Sequence, residues 1–200
     1  CYPPCMDKFV NIIGAGLAGS EAALQLAQRG VHVRLFEMRP ETETDVHRGG
    51  ECAELVCSNS LKSTKPESAA GMLKAELAEL GSQLIAAAGR SRVDAGGALA
   101  VDRDEFSADV TSMVKENPYI EYRVMCVSNP LDVCLGAADA TILATGPLTS
   151  DALAQWLVDK TGSDNLAFFD AAAPVVMADS LDMDVLFRQS RYEQDAPGDY

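Results

Sequence analysis

Long apolar runs are missing from this sequence: nothing in its 200 residues approaches the ~20 consecutive apolar residues a membrane-spanning helix requires, so no membrane role is expected. The N-terminus has no basic stretch leading into an apolar segment. A secretory signal is therefore not expected, and cytoplasm is the expected location. Histidine is nearly absent, with only His32 and His47. The six cysteines, Cys1, Cys5, Cys52, Cys57, Cys126 and Cys134, contain no CxxC pair. Structural zinc needs closely spaced ligand pairs, so no metal site is expected and the thiols read as free. Basic residues are scarce and unevenly placed. Residues 1–100 carry 10 Lys and Arg against 12 Asp and Glu, while residues 101–200 carry 6 against 18, giving balances of −2 and −12. Nucleic-acid affinity comes mainly from cations that neutralise phosphates. An RNA partner would therefore need a local basic patch, or residues beyond this chain.

What is present suits an ordinary α/β protein. Residues 1–5 read as a leader, Met6 as a natural start, and 1–7 are expected to be disordered. Phe9-Val-Asn-Ile-Ile13 is a short, β-branched apolar run of the kind that forms a buried parallel strand. A helix is expected from about Leu17 to Arg29, ended by Gly30, and a second strand from Val31 to Phe36, closing on Glu37. Residues 38–68 are polar with little periodicity and read as one long functional loop. Met72, Leu73, Leu77, Leu80, Leu84 and Ile85 fall on one face of a single expected helix. Strands are expected at 96–101, 120–127 and 140–144, a D-x-x-E capped helix after Asp102, and a helix near Asp151–Lys160. The fold class is α/β with a Rossmann-like domain over 8–150, and 151–200 opening a second domain. Nothing in the sequence sets an oligomeric state.

Gly14-Ala15-Gly16-Leu17-Ala18-Gly19 matches G-x-G-x-x-G. Alone this pattern is weak, but here it follows a strand and opens a helix, as dinucleotide binding requires. Gly14 makes the tight turn, Gly16 admits the pyrophosphate, and Gly19 lets helix and strand pack closely. The phosphates would meet the N–H groups and dipole of the helix N-terminus. Glu37 lies 18 residues after Gly19, where a carboxylate can accept from ribose hydroxyls; it disfavours a 2′-phosphate and leaves FAD and NAD. Ile142-Leu-Ala-Thr-Gly146 resembles the segment of two-dinucleotide-fold flavoproteins in which a strand ends beside the flavin, which favours FAD.

Five segments resemble the folate- and FAD-dependent tRNA (uracil-5-)-methyltransferases: Ile13 to Ala23, Phe36-Glu-Met-Arg-Pro40, Ala53-Glu-Leu-Val-Cys-Ser-Asn-Ser-Leu61, Ala95-Gly-Gly-Ala-Leu-Ala-Val-Asp-Arg103 and Leu143 to Ser150. Phe169-Asp-Ala-Ala-Ala-Pro174 and Asp179-Ser-Leu-Asp-Met-Asp184 also fit, so the likeness covers residues 6–200. The resemblance implies a flavoprotein of the two-dinucleotide-binding type that methylates a T-loop uridine of tRNA at C5. Its implied cofactor is FAD, with 5,10-methylenetetrahydrofolate and NAD(P)H as co-substrates. Cofactor contacts are expected from residues 14–19, Glu37, Arg39 and Gly146. Uracil C5 is a poor nucleophile until a thiolate adds at C6, and a base must then remove the C5 proton. The family is similar in using two cysteines for these tasks, and Cys57 matches one of them. Which of the two it performs stays open, with acid/base the favoured assignment. Cys52 reads as incidental. Arg39, Arg48, Lys62 and Lys65 flank the loop and stand either as solvated charge or as contacts to a phosphate or folate tail. GidA-type tRNA-modifying flavoproteins are more distant relatives sharing the fingerprint.

Family members are considerably longer, so the chain reads as C-terminally truncated, lacking the second cysteine. Alone it is not expected to complete the reaction. Three readings therefore stand: a fragment of such a methyltransferase, another FAD oxidoreductase with a reactive thiol, or a non-catalytic flavin- or RNA-binding module.

Overall fold

The computed structural model describes residues 9–44, 46–132, 135–162 and 178–186. The expected leader, Cys134 and the Phe169–Pro174 string lie outside them. By compactness the chain divides into one unit of Cys1–Glu54 with Ser107–Ala171, and another of Leu55–Phe106 with Ala172–Tyr200. Residues 55–106 gather around a small sheet of their own.

The first unit is built on a four-stranded parallel sheet. Its strands are β1 (Phe9–Ile13), β2 (His32–Glu37), β6 (Ile120–Val124) and β7 (Ala140–Leu143), in the order β6-β2-β1-β7. Val10 to Ile13 are buried, as are Val33, Leu35, Phe36 and Glu37. A parallel strand covered on both faces reads as a continuous apolar run rather than an alternating one. Registers pair Ile13 with Phe36 and with Leu143, so β1, β2 and β7 end together. His32 is half-buried in packing, its ring stacked on Phe9 and tilted on Tyr119, with centroids 5.3 and 4.9 Å away.

Between β1 and β2 runs α1 (Leu17–Gln28), which buries Gly19, Ser20, Ala23, Leu24 and Ala27 along one stripe. Small side chains on that stripe let the helix lie close to the sheet. A Cβ at Gly19 would stand 1.8 Å from the Gly14 carbonyl oxygen, a contact no backbone adjustment of tenths of an ångström relieves. Gly19→Ala is therefore expected to destabilise by at least the upper part of the roughly 1–3 kcal/mol typical of overpacking. The check is a urea titration at constant m-value; an unchanged midpoint would show that helix and turn are not packed this way.

The second unit holds an antiparallel sheet of β3 (Ser60–Ser63), β5 (Ala98–Val101) and β4 (Arg92–Val93), in the order β3-β5-β4. All four residues of β5 are buried. Two expectations are corrected here. Residues 38–68 are not one irregular loop, because 60–63 pair with β5. This strand is short, polar and bulged, so no apolar alternation announces it. The expected helix through Met72 and Ile85 is two helices, α2 (Ala69–Glu79) and α3 (Gln83–Arg90). They part at Gly81, whose φ of 77° the helix cannot continue through. New caps form on each side. Ser68 Oγ accepts from the Gly71 N–H at 3.1 Å and Ser82 Oγ from the Ile85 N–H at 3.2 Å. Of the residues expected on one helix face, Met72, Leu73 and Leu80 are more than half exposed, while Leu84 is buried. The Asp102 cap is present: its Oδ1 accepts from the N–H groups of Asp104 and Glu105, both at 3.0 Å, at the start of α4 (Arg103–Lys115). Near the C-terminus α5 spans Asp151–Thr161.

Candidate functional site

In the first unit a cleft of about 510 Å³, counted to its open mouth, lies at the carboxyl ends of β1, β2 and β7. That is where open α/β sheets bind ligands. Its apolar floor is Ile13, Val127 and Leu153, which pack with buried Phe36 and Leu135. Gly14 and Gly16 line one side, and Thr145 and Leu148 line another.

The three fingerprint glycines act differently. Gly14 turns the chain at φ 101°, and a Cβ there would meet the Ala144 carbonyl oxygen at 2.6 Å. It thus lets the end of β7 close against the end of β1, with the Ala144 N–H donating to the Ile13 carbonyl at 2.8 Å. Gly19 is a packing glycine, as above. Gly16 alone opens onto space, with nothing within 4 Å of where its Cβ would be. It is the N-cap of α1 and offers no side-chain cap, so no side chain shields the first-turn N–H groups of Leu17, Ala18 and Gly19. Ala15, Leu17, Ala18 and Gly19 do not themselves line the cleft. Neither does Gly146, which opens a 3-10 turn (Gly146–Leu148) beside lining residue Thr145.

Glu37 closes β2 and lines the cleft, only 5% exposed. One carboxylate oxygen accepts from the Ala15 N–H at 2.9 Å; the other accepts from Arg39 N–H at 3.1 Å and Arg39 Nε at 2.9 Å. Burial pushes this carboxyl up, but the Arg39 hydrogen bond and charge, with the two backbone N–H groups, outweigh it and hold the group below its ordinary value. Arg39 is 3% exposed and works as a hub. Its guanidinium also donates to Glu54 Oε2 at 2.9 Å, to the Glu51 carbonyl at 3.0 Å and to the Gly49 carbonyl at 3.4 Å. Burial lowers its pKa, yet Glu37 and Glu54 raise it overall.

The hub fixes 49–54 beside the glycine turn. The Ala53 N–H donates to the Ala15 carbonyl at 2.8 Å, the Cys52 N–H to Thr111 Oγ1 at 2.8 Å, and Ser107 Oγ to Glu51 Oε2 at 2.7 Å. Sequence reasoning offered Arg39 as a possible phosphate or folate contact and missed this bracing. The available signal was the Glu37–Arg39 pair at strand spacing; its second partner, Glu54, lies 15 residues from Arg39 and has no local spacing to give it away. His47, in the lining, pairs Nδ1 with Thr44 Oγ1 at 2.6 Å; burial and the Arg39 charge hold its pKa below the ordinary value.

Cys57 belongs to the second unit and is exposed. Its neighbours are held in place: Ser58 Oγ accepts from the Ser60 N–H at 3.1 Å, and the Asn59 carbonyl accepts from the Val101 N–H at 3.0 Å. The polar string thus continues into β3 along the edge of β5. Cys52 is fully buried in the first unit, its thiol pushed up to about 11, chiefly by burial. Among the described residues no three His, Cys, Asp or Glu are grouped to hold a metal, and no helix is long and apolar enough to cross a membrane.

Comparison with known proteins bears on these observations. The family model described as glucose inhibited division protein A matches residues 9–200. The chain is similar to proteins named methylenetetrahydrofolate–tRNA-(uracil-5-)-methyltransferase TrmFO: 54% identical over 188 residues to that of Bacillus subtilis, 52% over 189 to that of Bacillus licheniformis, and 51% over 190 to that of Lactobacillus acidophilus. Each alignment covers 94% of this chain and 42% of the relative, so the chain spans about two fifths of their length. Among solved structures, the crystal structure of the MHPCO Y270F mutant aligns with 57% of this chain and 31% of its own at 16% identity and a TM-score of 0.34. With a match over nearly its whole length, this α/β chain belongs to the glucose inhibited division protein A family.

Proposed function

We propose that this chain is part of an enzyme that transfers a one-carbon unit from 5,10-methylenetetrahydrofolate to C5 of a T-loop uridine in tRNA, with FAD in the cleft of the first unit and NADH or NADPH as reductant. The observation that carries the reading is the open space over Gly16 at the uncapped start of α1. A side chain would fill that cradle, and a pyrophosphate fits it: the N–H groups of Leu17, Ala18 and Gly19 supply donors and the helix dipole favours the charge. The relatives' names support the choice of substrate and one-carbon donor.

Glu37 keeps about one of its four acceptor positions for a ribose hydroxyl, since three are taken by Ala15 and Arg39. Arg39 then serves the cofactor mainly by holding Glu37 and 49–54 in place. Thr145 and the turn at Gly146 bound the side proposed for the flavin. When bound, FAD supplies the carrier for the one-carbon unit and the reducing equivalents. Cys57 supplies a thiol for addition at C6 or for proton removal at C5, the latter being the preferred assignment. Residues 151–200 are proposed to open the tRNA-facing part, and the cytoplasm is the proposed location.

The test uses a chimaera joining residues 6–200 to the remaining length of the Bacillus subtilis relative. It is expected to purify yellow and to release FAD on denaturation. Gly16→Val is expected to leave it colourless with its far-ultraviolet circular dichroism intact. A chimaera that bound NAD and no flavin would overturn the cofactor assignment.

A further inference from the structure

In the second unit Lys62 lies near enough for its charge to act on Lys74, in a chain that carries 30 acidic residues against 16 basic ones. Lys62 sits on β3, five residues after Cys57, where the strand's pairing with β5 shifts register between Ser60 and Ser63. Its φ of 67° is a left-handed value, costly for a residue with a Cβ, and its N–H donates to Ser60 Oγ at 3.2 Å. The side chain is exposed, with no ion-pair partner among the described residues. Lys74, on α2, donates from Nζ to the carbonyl of Ser63, the residue next to Lys62, at 2.9 Å, and to that of Ala70 at 2.8 Å. Those bonds fix its ammonium over β3 and leave one of its three protons. Burial pushes Lys74 down, and the charge of Lys62 pushes the same way. Two like charges held together gain from an arriving anion.

We propose that Lys62 and Lys74 bind a backbone phosphate of the RNA whose uridine is presented to Cys57. The inference rests on the reading of tRNA as substrate. It also supplies what the composition demands, a local basic patch on an acidic chain. Lysine suits this task as a point charge that meets phosphate in many orientations. The site is an open strand edge rather than an enclosed pocket, which favours a polymer backbone over a small molecule's tail.

The experiment measures binding of an unmodified tRNA transcript to the chimaera between about 50 and 200 mM KCl, and methylation kinetics in parallel. Lys62→Gln is expected to raise Kd and the KM for tRNA severalfold with kcat little changed. It should also reduce the slope of log K against log salt by about 0.7–0.9, the value for one lost phosphate contact. Arg29→Gln, which removes an equal charge from the end of α1, should leave the slope unchanged. A slope unaltered by Lys62→Gln, an equal loss from Arg29→Gln, or a rise in the KM for the folate donor instead of tRNA would each overturn the proposal. If the parent chimaera binds tRNA but transfers no carbon, the reading of its activity fails while the binding slopes still decide this one.

Discussion

Cys57→Ala and Cys57→Ser in the chimaera are expected to abolish transfer of the labelled methylene carbon from methylenetetrahydrofolate to tRNA, while flavin content stays at the parent level. The loss should be complete within detection, because each task proposed for this residue requires a thiol. A free thiol ionises near pH 8.5, so a few per cent is thiolate at neutrality; a serine hydroxyl supplies essentially none. Flavin should survive because every residue lining the cleft belongs to the first unit, and Cys57 to the second. The backbone should survive too, since the segment is pinned through Ser58, Asn59 and Ser60 rather than through the thiol. Cys52→Ala and Cys126→Ala are expected to keep substantial activity. The Cys52 thiol is fully buried and, at about 11, protonated at neutral pH, while Cys126 is an exposed residue of the first unit outside the cleft lining. Near-parental transfer by Cys57→Ala would remove this residue from the chemistry and leave it a structural part of the β3 approach.

Arg39→Ala is expected to cost about 3–5 kcal/mol, the range for stripping one partner from a buried ion pair. Glu37 would keep its burial and lose the cation that stabilises its charge, Glu54 would lose a 2.9 Å partner, and the carbonyls of Gly49 and Glu51 would lose donors. Arg39→Lys should recover little, because one ammonium cannot reach Glu37, Glu54 and two carbonyls from a single fork. The double variant Arg39→Ala, Glu37→Gln should recover part of the loss, since no charge is then buried alone. The pH dependence has a definite sign. Glu37 titrates lower in the folded state than its ordinary 4.5, so its contribution is full above that value and fades as pH falls through the folded pKa. In Arg39→Ala burial acts with the cation gone, so acid unfolding should begin at higher pH than in the parent. Denaturant titrations of the 200-residue chain at several pH values measure both effects. A loss below about 1 kcal/mol at pH 7 would mean that the hub is a solvated surface pair and not the brace described.

The glycine turn and the strand that closes on Glu37 were legible because their signals are local. An apolar run, three glycines at fixed offsets and an acidic residue closing the next strand sit within thirty residues, and each has one geometry that accommodates it. Steric exclusion does the rest: at Gly14 and Gly19 there is no room for a Cβ, and at Gly16 the room is left open. The D-x-x-E cap at Asp102 was legible for the same reason, since a cap is satisfied within one helical turn.

What the sequence could not reveal depends on contacts between distant residues. The helix expected across Leu80 breaks because a left-handed turn at Gly81 and a cap from Ser82 outweigh an apolar period that would have run on, leaving Met72, Leu73 and Leu80 outward. β3 exists only because β5 offers it a ladder; Ser-Leu-Lys-Ser has no strand preference of its own to announce. Arg39 read either as solvated charge or as a ligand contact, and only the fold, by burying it among Glu37, Glu54 and two carbonyls, reveals a brace. The residue types and their short-range spacing thus determined the glycine turn, the strand that closes on Glu37 and the presence of a thiol in a polar string. The tertiary structure decided which charges are buried and which helix face is exposed, because burial and ion pairing are properties of neighbours far apart in the chain.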